Sequence, residues 1–268
     1  MRVMSVRTSE LLFGAGLRHE PTAKRVRADL DGVTVVDSTD AVLVWEPRRV
    51  VPSYAVPLAD LALPLTAASG SADVPDGVLH PGIPFPAHTA PGEPVSVGGR
   101  AHAGFRLPDP DLDGYVLLDF NAFSGWREED EPILGHPRDP FSRVDVRVTS
   151  RPVRIELGGE VLAESTRARM LFETGIHTRF YLPREDMRVE LRPTATRSYC
   201  PYKGEASYWS AGTHEDIAWS YEAPLPDLAH IAGLVAFWDE RVDVFVDGER
   251  LGAPRGPVVD AMRDEFGA

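Results

Sequence analysis

Cys200-Pro201-Tyr202-Lys203-Gly204 gathers a thiol, a ring-fixed φ, an aromatic with a polar tip, a cation and a conformationally free glycine within five residues. Such a segment suits a loop at a pocket rim. Lys24 and Lys203 are the only lysines beside 26 arginines, so the chain places lysine sparingly. Lys203 can hold a phosphate or carboxylate as a point charge, or transfer a proton if burial lowers its pKa. A plain surface salt bridge is the alternative. Cys200 has no helix N-terminus or neighbouring histidine in sequence to activate it, and is expected to be packed and slow to react.

Glu173 and Tyr181 form a second constellation, spaced around His177-Thr178-Arg179 with a hairpin-like Thr174-Gly175 between them. In a hairpin both ends face one opening, which makes Glu173 the natural partner of Lys203 or a general base, and Arg179 an anion clamp. Glu173 merely accepting turn amides is the competing reading. Tyr202, Tyr208, Trp209, Trp219 and Tyr221 crowd into 20 residues. Strand alternation puts Trp219 and Tyr221 on one face and sets Tyr208 opposite Trp209. Those rings make either a floor for a flat heterocycle or ordinary core. The candidate catalytic residues are thus Lys203, Glu173 and Tyr181, and the candidate ligand contacts are Arg179, Tyr202, Tyr208, Trp209, Trp219, Tyr221 and Cys200. His136, His214 and His230 lack ligand spacing, so no metal and no cofactor is expected. The acids of Trp126-Arg127-Glu128-Glu129-Asp130-Glu131 read as a solvated helix end.

An internal repeat organises the elements that must position these groups. Leu30 to Thr39 lies over Leu157 to Thr166 at an offset of 127, which then places Ala41 on Ala168, Trp45 on Phe172, Glu46 on Glu173 and Tyr54 on Tyr181. A slip of one brings Pro57 and Asp60 onto Pro183 and Asp186. Arg143-Val144-Asp145-Val146 recurs as Arg241-Val242-Asp243-Val244, which predicts that both copies end alike. Each copy opens with a two-residue hairpin turn, Asp31-Gly32 or Gly158-Gly159. Further strands are expected at 41–45, 170–172, 179–182, 188–191, 207–209, 217–221 and 234–238. Short helices are expected at 121–129, 226–232 and 258–266. Pro64 to Gly104 reads as a long irregular excursion. The fold class is therefore mainly β, two tandem repeated modules with few short helices. The expected division is an N-terminal extension at 1–24, a first module at 25–148 with its Pro/Gly-rich insertion near 64–104, a second at 149–250, and a tail at 251–268 with a short helix.

Composition excludes several classes of function. The 268 residues carry a net charge of −13 spread over both halves, which disfavours nucleic-acid binding and adhesion to anionic membranes. Hydrophobic residues make up 43%, enough for a real core. One cysteine can form no internal disulfide, and no stretch reaches the roughly 18 apolar residues of a membrane span, so a cytosolic protein is expected. Oligomeric state is not legible.

The motifs also resemble a known family. In the first copy the resemblance rests on Arg18-His19-Glu20-Pro21-Thr22, Lys24 to Arg27, Asp37-Ser38, Trp45-Glu46, Trp126 to Glu131 and His136 to Pro140. In the second it rests on Glu164 to Ala168, Leu171 to Gly175, Tyr181 to Asp186, Cys200 to Gly204, Tyr208-Trp209 and Ile217 to Tyr221. These are similar to the tandem form of the family called domain of unknown function 427, also labelled nucleotidyltransferase-like. The resemblance implies β-tent-like modules, the class that includes the drug-binding domain of cereblon, where an aromatic cage binds ligand. It implies little about activity. The first copy has no counterpart of Cys200 to Gly204, because the excursion stands in its place. The better site is therefore expected in the second copy, with the first as a structural or interface module. The expected function is binding of a small flat or anionic metabolite, nucleotide- or heterocycle-like, in the second module. The alternative is a hydrolase or transferase acting on such a metabolite through Lys203, Glu173 and Tyr181.

Overall fold

A computed structural model describes residues 16–70, 72–256 and 258–260. The chain divides into two compact units, Met1–Asp139 and Pro140–Ala268. In the first, the strands are β1 (Arg18–Pro21), β2 (Val26–Leu30), β3 (Val33–Ser38), β4 (Val42–Trp45), β5 (Ser53–Pro57), β6 (Leu65–Ala67), β7 (Glu93–Val97), β8 (Arg100–Arg106), β9 (Tyr115–Leu118), β10 (Gly125–Glu128) and β11 (Glu131–Ile133). They form a seven-stranded sheet, β1-β4-β5-β9-β8-β7-β6, and a four-stranded sheet, β11-β10-β2-β3. The second unit contains β12 (Val144–Val148), β13 (Val153–Leu157), β14 (Glu160–Ser165), β15 (Arg169–Glu173), β16 (Arg179–Tyr181), β17 (Leu191–Cys200), β18 (Gly204–Ala211), β19 (His214–Ser220), β20 (Val235–Phe237), β21 (Asp243–Val246) and β22 (Glu249–Arg250). Its sheets run β12-β15-β16, β17-β18-β19-β20 and β14-β13-β21-β22. The bridge between Leu182 and Val235 links the first two, with both backbone hydrogen bonds at 2.8 Å. The protein is mainly β, as the alternating pattern requires, and its strand ladders are antiparallel. Among the described residues, no helix is long and apolar enough to cross a membrane.

Both opening hairpins have the turn their sequence dictates. Asp31 and Gly32 take φ of 51° and 81°, and Gly158 and Gly159 take 60° and 88°, the paired positive φ of a type I′ turn. Val26 pairs with Ser38 and Ala28 with Val36 before a bulge. Val153 pairs with Ser165 and Ile155 with Ala163 before a bulge at the corresponding step. In each unit one face of the larger surface packs on the hairpin sheet. Val26, Ala28 and Val36 meet Leu43, Tyr54 and Val56 in the first, and Val153, Ile155 and Ala163 meet Phe180, Leu182 and Phe237 in the second. The opposite face builds a second cluster, and Tyr181, Tyr208, Trp219 and Tyr221 lie there.

Several expectations are corrected. Residues 121–129 are not a helix: a 3-10 turn at Phe120–Ala122 leads into β10, whose burial alternates with period two. Phe123 and Trp126 are spaced like a helix face because both reach one core from different elements. The acids beyond Trp126 are a hairpin rather than a solvated helix end. Glu129 turns the chain at φ 51°, and buried Glu128 accepts from the Tyr54 hydroxyl at 2.8 Å and from Lys24 at 2.5 Å. The strand expected at 188–191 begins at Leu191 and runs to Cys200, its polar sequence reflecting a mostly exposed ribbon. Among its described residues the excursion is irregular only over 68–70 and 72–92; β6, β7 and β8 flank that stretch.

The two Arg-Val-Asp-Val segments do not end equivalent copies. Val144 to Val146 open the second unit on β15, whereas Asp243 to Val246 pair with β13. Accordingly the division falls before Val148, and β1 lies inside the stretch read as an N-terminal extension, of which residues 1–15 lie outside the described residues. The helix at 226–232 is a 3-10 segment, Pro226–Ile231. Residues 258–260 are helical, and the rest of the helix expected to Phe266 lies outside the described residues.

Candidate functional site

Strand register brings the candidate side chains together. Tyr208 pairs with Trp219, and Trp219 with Ala236, across β18, β19 and β20. The Leu182–Val235 bridge then sets Tyr181 beside Ala236. Because the residue between them is small, the Tyr181 and Trp219 rings meet edge to face at 6.4 Å and 89°. The Trp219 indole N–H donates to the Tyr181 hydroxyl at 3.2 Å. Tyr221, Tyr208, Leu171 and Ala236 complete this cluster, closed by Leu228 and Ile231 of the 3-10 segment. Trp209 points to the other face, donating to Ser220 at 2.8 Å and lying under the Arg184 guanidinium at 4.0 Å; half-buried, it packs against the core on that side and is not part of this group.

Lys203 reaches the cluster from the turn between β17 and β18. Its N–H closes the turn on the Cys200 carbonyl at 3.3 Å, and its own carbonyl accepts from Leu225 at 3.1 Å. Gly204 follows with φ 100°, a conformation that side-chain-bearing residues avoid. The ammonium of Lys203 lies 2.5 Å from Oε2 of Glu173 at the end of β15. Burial by itself lowers the Lys203 pKa, but Glu173, with Cys200 and Tyr181, outweighs it and raises the value. Burial pushes the Tyr181 hydroxyl up to about 12, and pushes Tyr221 well above its ordinary range. Lys203, Glu173, Tyr181, Trp219, Tyr221 and Tyr208 are therefore one group. Cys200 and Tyr202 are half-buried at the hairpin tip beside it.

Arg179 is placed differently from the expected clamp. Its guanidinium is bidentate to Glu240 at 2.9 and 2.6 Å, lies 3.5 Å from Asp239, and sits over the Trp219 and Trp238 rings. With two carboxylates already in place, it has no vacant fork for an anion. His177 faces Asp239 at 3.2 Å. Sequence reasoning missed Asp239 and Glu240, which lie 60 and 61 residues from Arg179 with no motif to mark them. A cleft of about 1090 Å³ opens beside His177, Asp239, Arg241 and Arg250. Lys203, Glu173 and Tyr181 do not line it, so the open space and the polar cluster are separate features of the second unit.

The first unit carries different groups at the matching register. Val44 pairs with Ser53 and Leu171 with Arg179, so the connection after β15 is one residue shorter than that after β4. Tyr54 thus matches Phe180, and Ala55 matches Tyr181, which corrects the alignment of the two tyrosines. Glu46 matches Glu173, but its partner is His88 from the excursion, with Nδ1 at 2.9 Å. His19, Asp109 and Asp111 bring donor atoms within 4.8 Å of one another. That group is exposed at Asp111, and Asp109 is already used as a cap on the Asp111 amide at 2.9 Å.

Together these features define an all-β protein of two antiparallel units, the second built around a buried lysine–carboxylate pair among aromatic rings. Residues 145–248, within the second unit, match the family model described as Domain of unknown function (DUF427). No curated protein matches the chain.

Proposed function

We propose that the second unit binds a small flat metabolite, nucleotide- or heterocycle-like, and performs no chemistry on it. The observation that carries this reading is the Lys203–Glu173 pair, buried against Tyr181, Tyr208, Trp219 and Tyr221. A polar pair at the edge of aromatic faces supplies orientation through hydrogen bonds and affinity through stacking. A flat ligand is better supported than an anionic one, since Lys203 and Arg179 both face carboxylates already.

Hydrolase or transferase chemistry through Lys203, Glu173 and Tyr181 is less well supported. Proton transfer works best with a pKa near the working pH, and both Lys203 and Tyr181 are displaced upward, away from neutrality. We read the two units as diverged copies of one β-tent-like module, on the strength of their matching hairpin registers. The lone Cys200 fits a protein of the reducing cytosol. Native mass spectrometry of the purified chain, followed by titration with adenine and uridine under tryptophan fluorescence, tests the binding reading. A retained small molecule, or saturable quenching lost in Trp219→Leu, supports it; neither a retained mass nor a response at millimolar probe defeats it.

A further inference from the structure

We propose that the first unit holds a second small-molecule site, in which Nε2 of His88 accepts a hydrogen bond from an O–H or N–H group of a flat neutral ligand. The site neither includes the Lys203 cluster nor depends on its reading.

Glu46 anchors it. The carboxylate is 1% exposed, and Oε2 accepts from the amides of Thr89 and Ala90 at 2.9 and 3.1 Å. Oε1 faces Nδ1 of His88 at 2.9 Å, with Nε of Arg49 at 3.7 Å. Burial would raise the Glu46 pKa, but the hydrogen bond from His88, with the Ala90 amide and Arg49, holds it below its ordinary value. An ionised carboxylate can only accept, so Nδ1 carries a proton, and in the Nδ1–H tautomer the ring presents a lone pair at Nε2. Nε2 is buried and has no hydrogen-bond partner among the described residues, while the side chain as a whole is 9% exposed. Buried polar atoms in native proteins find partners, ordered water included, so a bare acceptor is a place where a group from outside the chain can bind.

The surroundings select the partner's shape. The imidazole lies parallel to Phe105 at 3.5 Å and 8°, and edge-on to Phe85 at 4.8 Å. Register supplies an independent argument. Phe105 pairs with Leu117 on β9 as Trp219 pairs with Ala236 on β20. Glu46 directly follows β4 where Glu173 is the last residue of β15, and His88 comes from the β6–β7 connection as Lys203 comes from the β17–β18 turn. The same framework therefore offers an acceptor where the second unit offers only a donor. A hydroxyl or ring N–H suits His88, and a carbonyl or ring nitrogen suits Lys203.

Long-range proton–nitrogen spectra of the full chain, labelled at histidine nitrogen, test this, with His88→Gln assigning the resonance among the eight histidines. If that variant does not fold, Phe105→Leu assigns it through the changed ring current. Phenol and toluene are the probes, matched in shape but not in donor. The expected result is an Nδ1–H tautomer whose Nε2 resonance moves saturably with millimolar phenol and stays fixed with toluene. An Nε2–H tautomer or a doubly protonated ring overturns the proposal. So does an Nε2 resonance unmoved by phenol, which would make His88 a structural residue satisfied by water.

Discussion

Nζ of Lys203 lies 2.5 Å from Oε2 of Glu173, and the two side chains retain 10% and 12% of their exposure. Removing one member of such a pair strands the other charge in a poorly solvated place, whereas replacing both with apolar groups does not. Lys203→Met alone is therefore expected to cost about 3–5 kcal/mol, and Lys203→Met with Glu173→Leu to recover most of it. Urea unfolding of the two variants and the parent makes the comparison. A harmless single substitution would mean that Glu173 reaches solvent and the pair is superficial.

Alkaline pH should unfold the second unit by a defined route. Tyr181 is held neutral up to about 12 in the folded chain against an ordinary value of 10.0. Lys203 is likewise raised above its ordinary 10.5. A native pKa above the unfolded one contributes stability that is complete below the unfolded value and is lost as pH climbs toward the folded value. Stability is thus expected to fall from about pH 10 to 12. Tyr181→Phe should remove part of the late-rising phenolate absorbance and flatten the decline. An unchanged absorbance titration in that variant would contradict the burial of its hydroxyl.

Gly92 is fixed by close approach. A Cβ there would lie 2.5 Å from both the Phe105 ring and the Arg106 carbonyl, and its φ is not positive. Gly92→Ala is expected to cost about 1–3 kcal/mol by displacing Phe105, while Gly125→Ala, with open space around its Cβ, should change little. Thermal melts of the two would reverse this order only if the excursion does not rest on β8.

The sequence made the strands legible where one face is buried, because alternation records burial directly. Asp31-Gly32 and Gly158-Gly159 identified the hairpins, since few residues tolerate two consecutive positive φ values. The Lys203–Glu173 partnership was legible from chemistry: a sparingly used lysine near a carboxylate at a turn. Leu191 to Cys200 escaped notice because an exposed ribbon has no apolar period. Tyr54 and Tyr181 were aligned by identity, yet the missing residue lies in the preceding connection, which puts the two rings on opposite faces. His88 could not be found at all, as it lies in irregular chain 42 residues from Glu46.

β17 is the outer strand of its sheet, and most of its ten residues face solvent. Such a margin can recruit foreign strands and seed fibrous assembly. Here Pro193 lacks a donor, Arg192 and Arg197 add like charge, and a register break between Pro193 and Arg197 interrupts the ladder. The ribbon that delivers Lys203 to Glu173 thus carries its own defence against edge-to-edge aggregation.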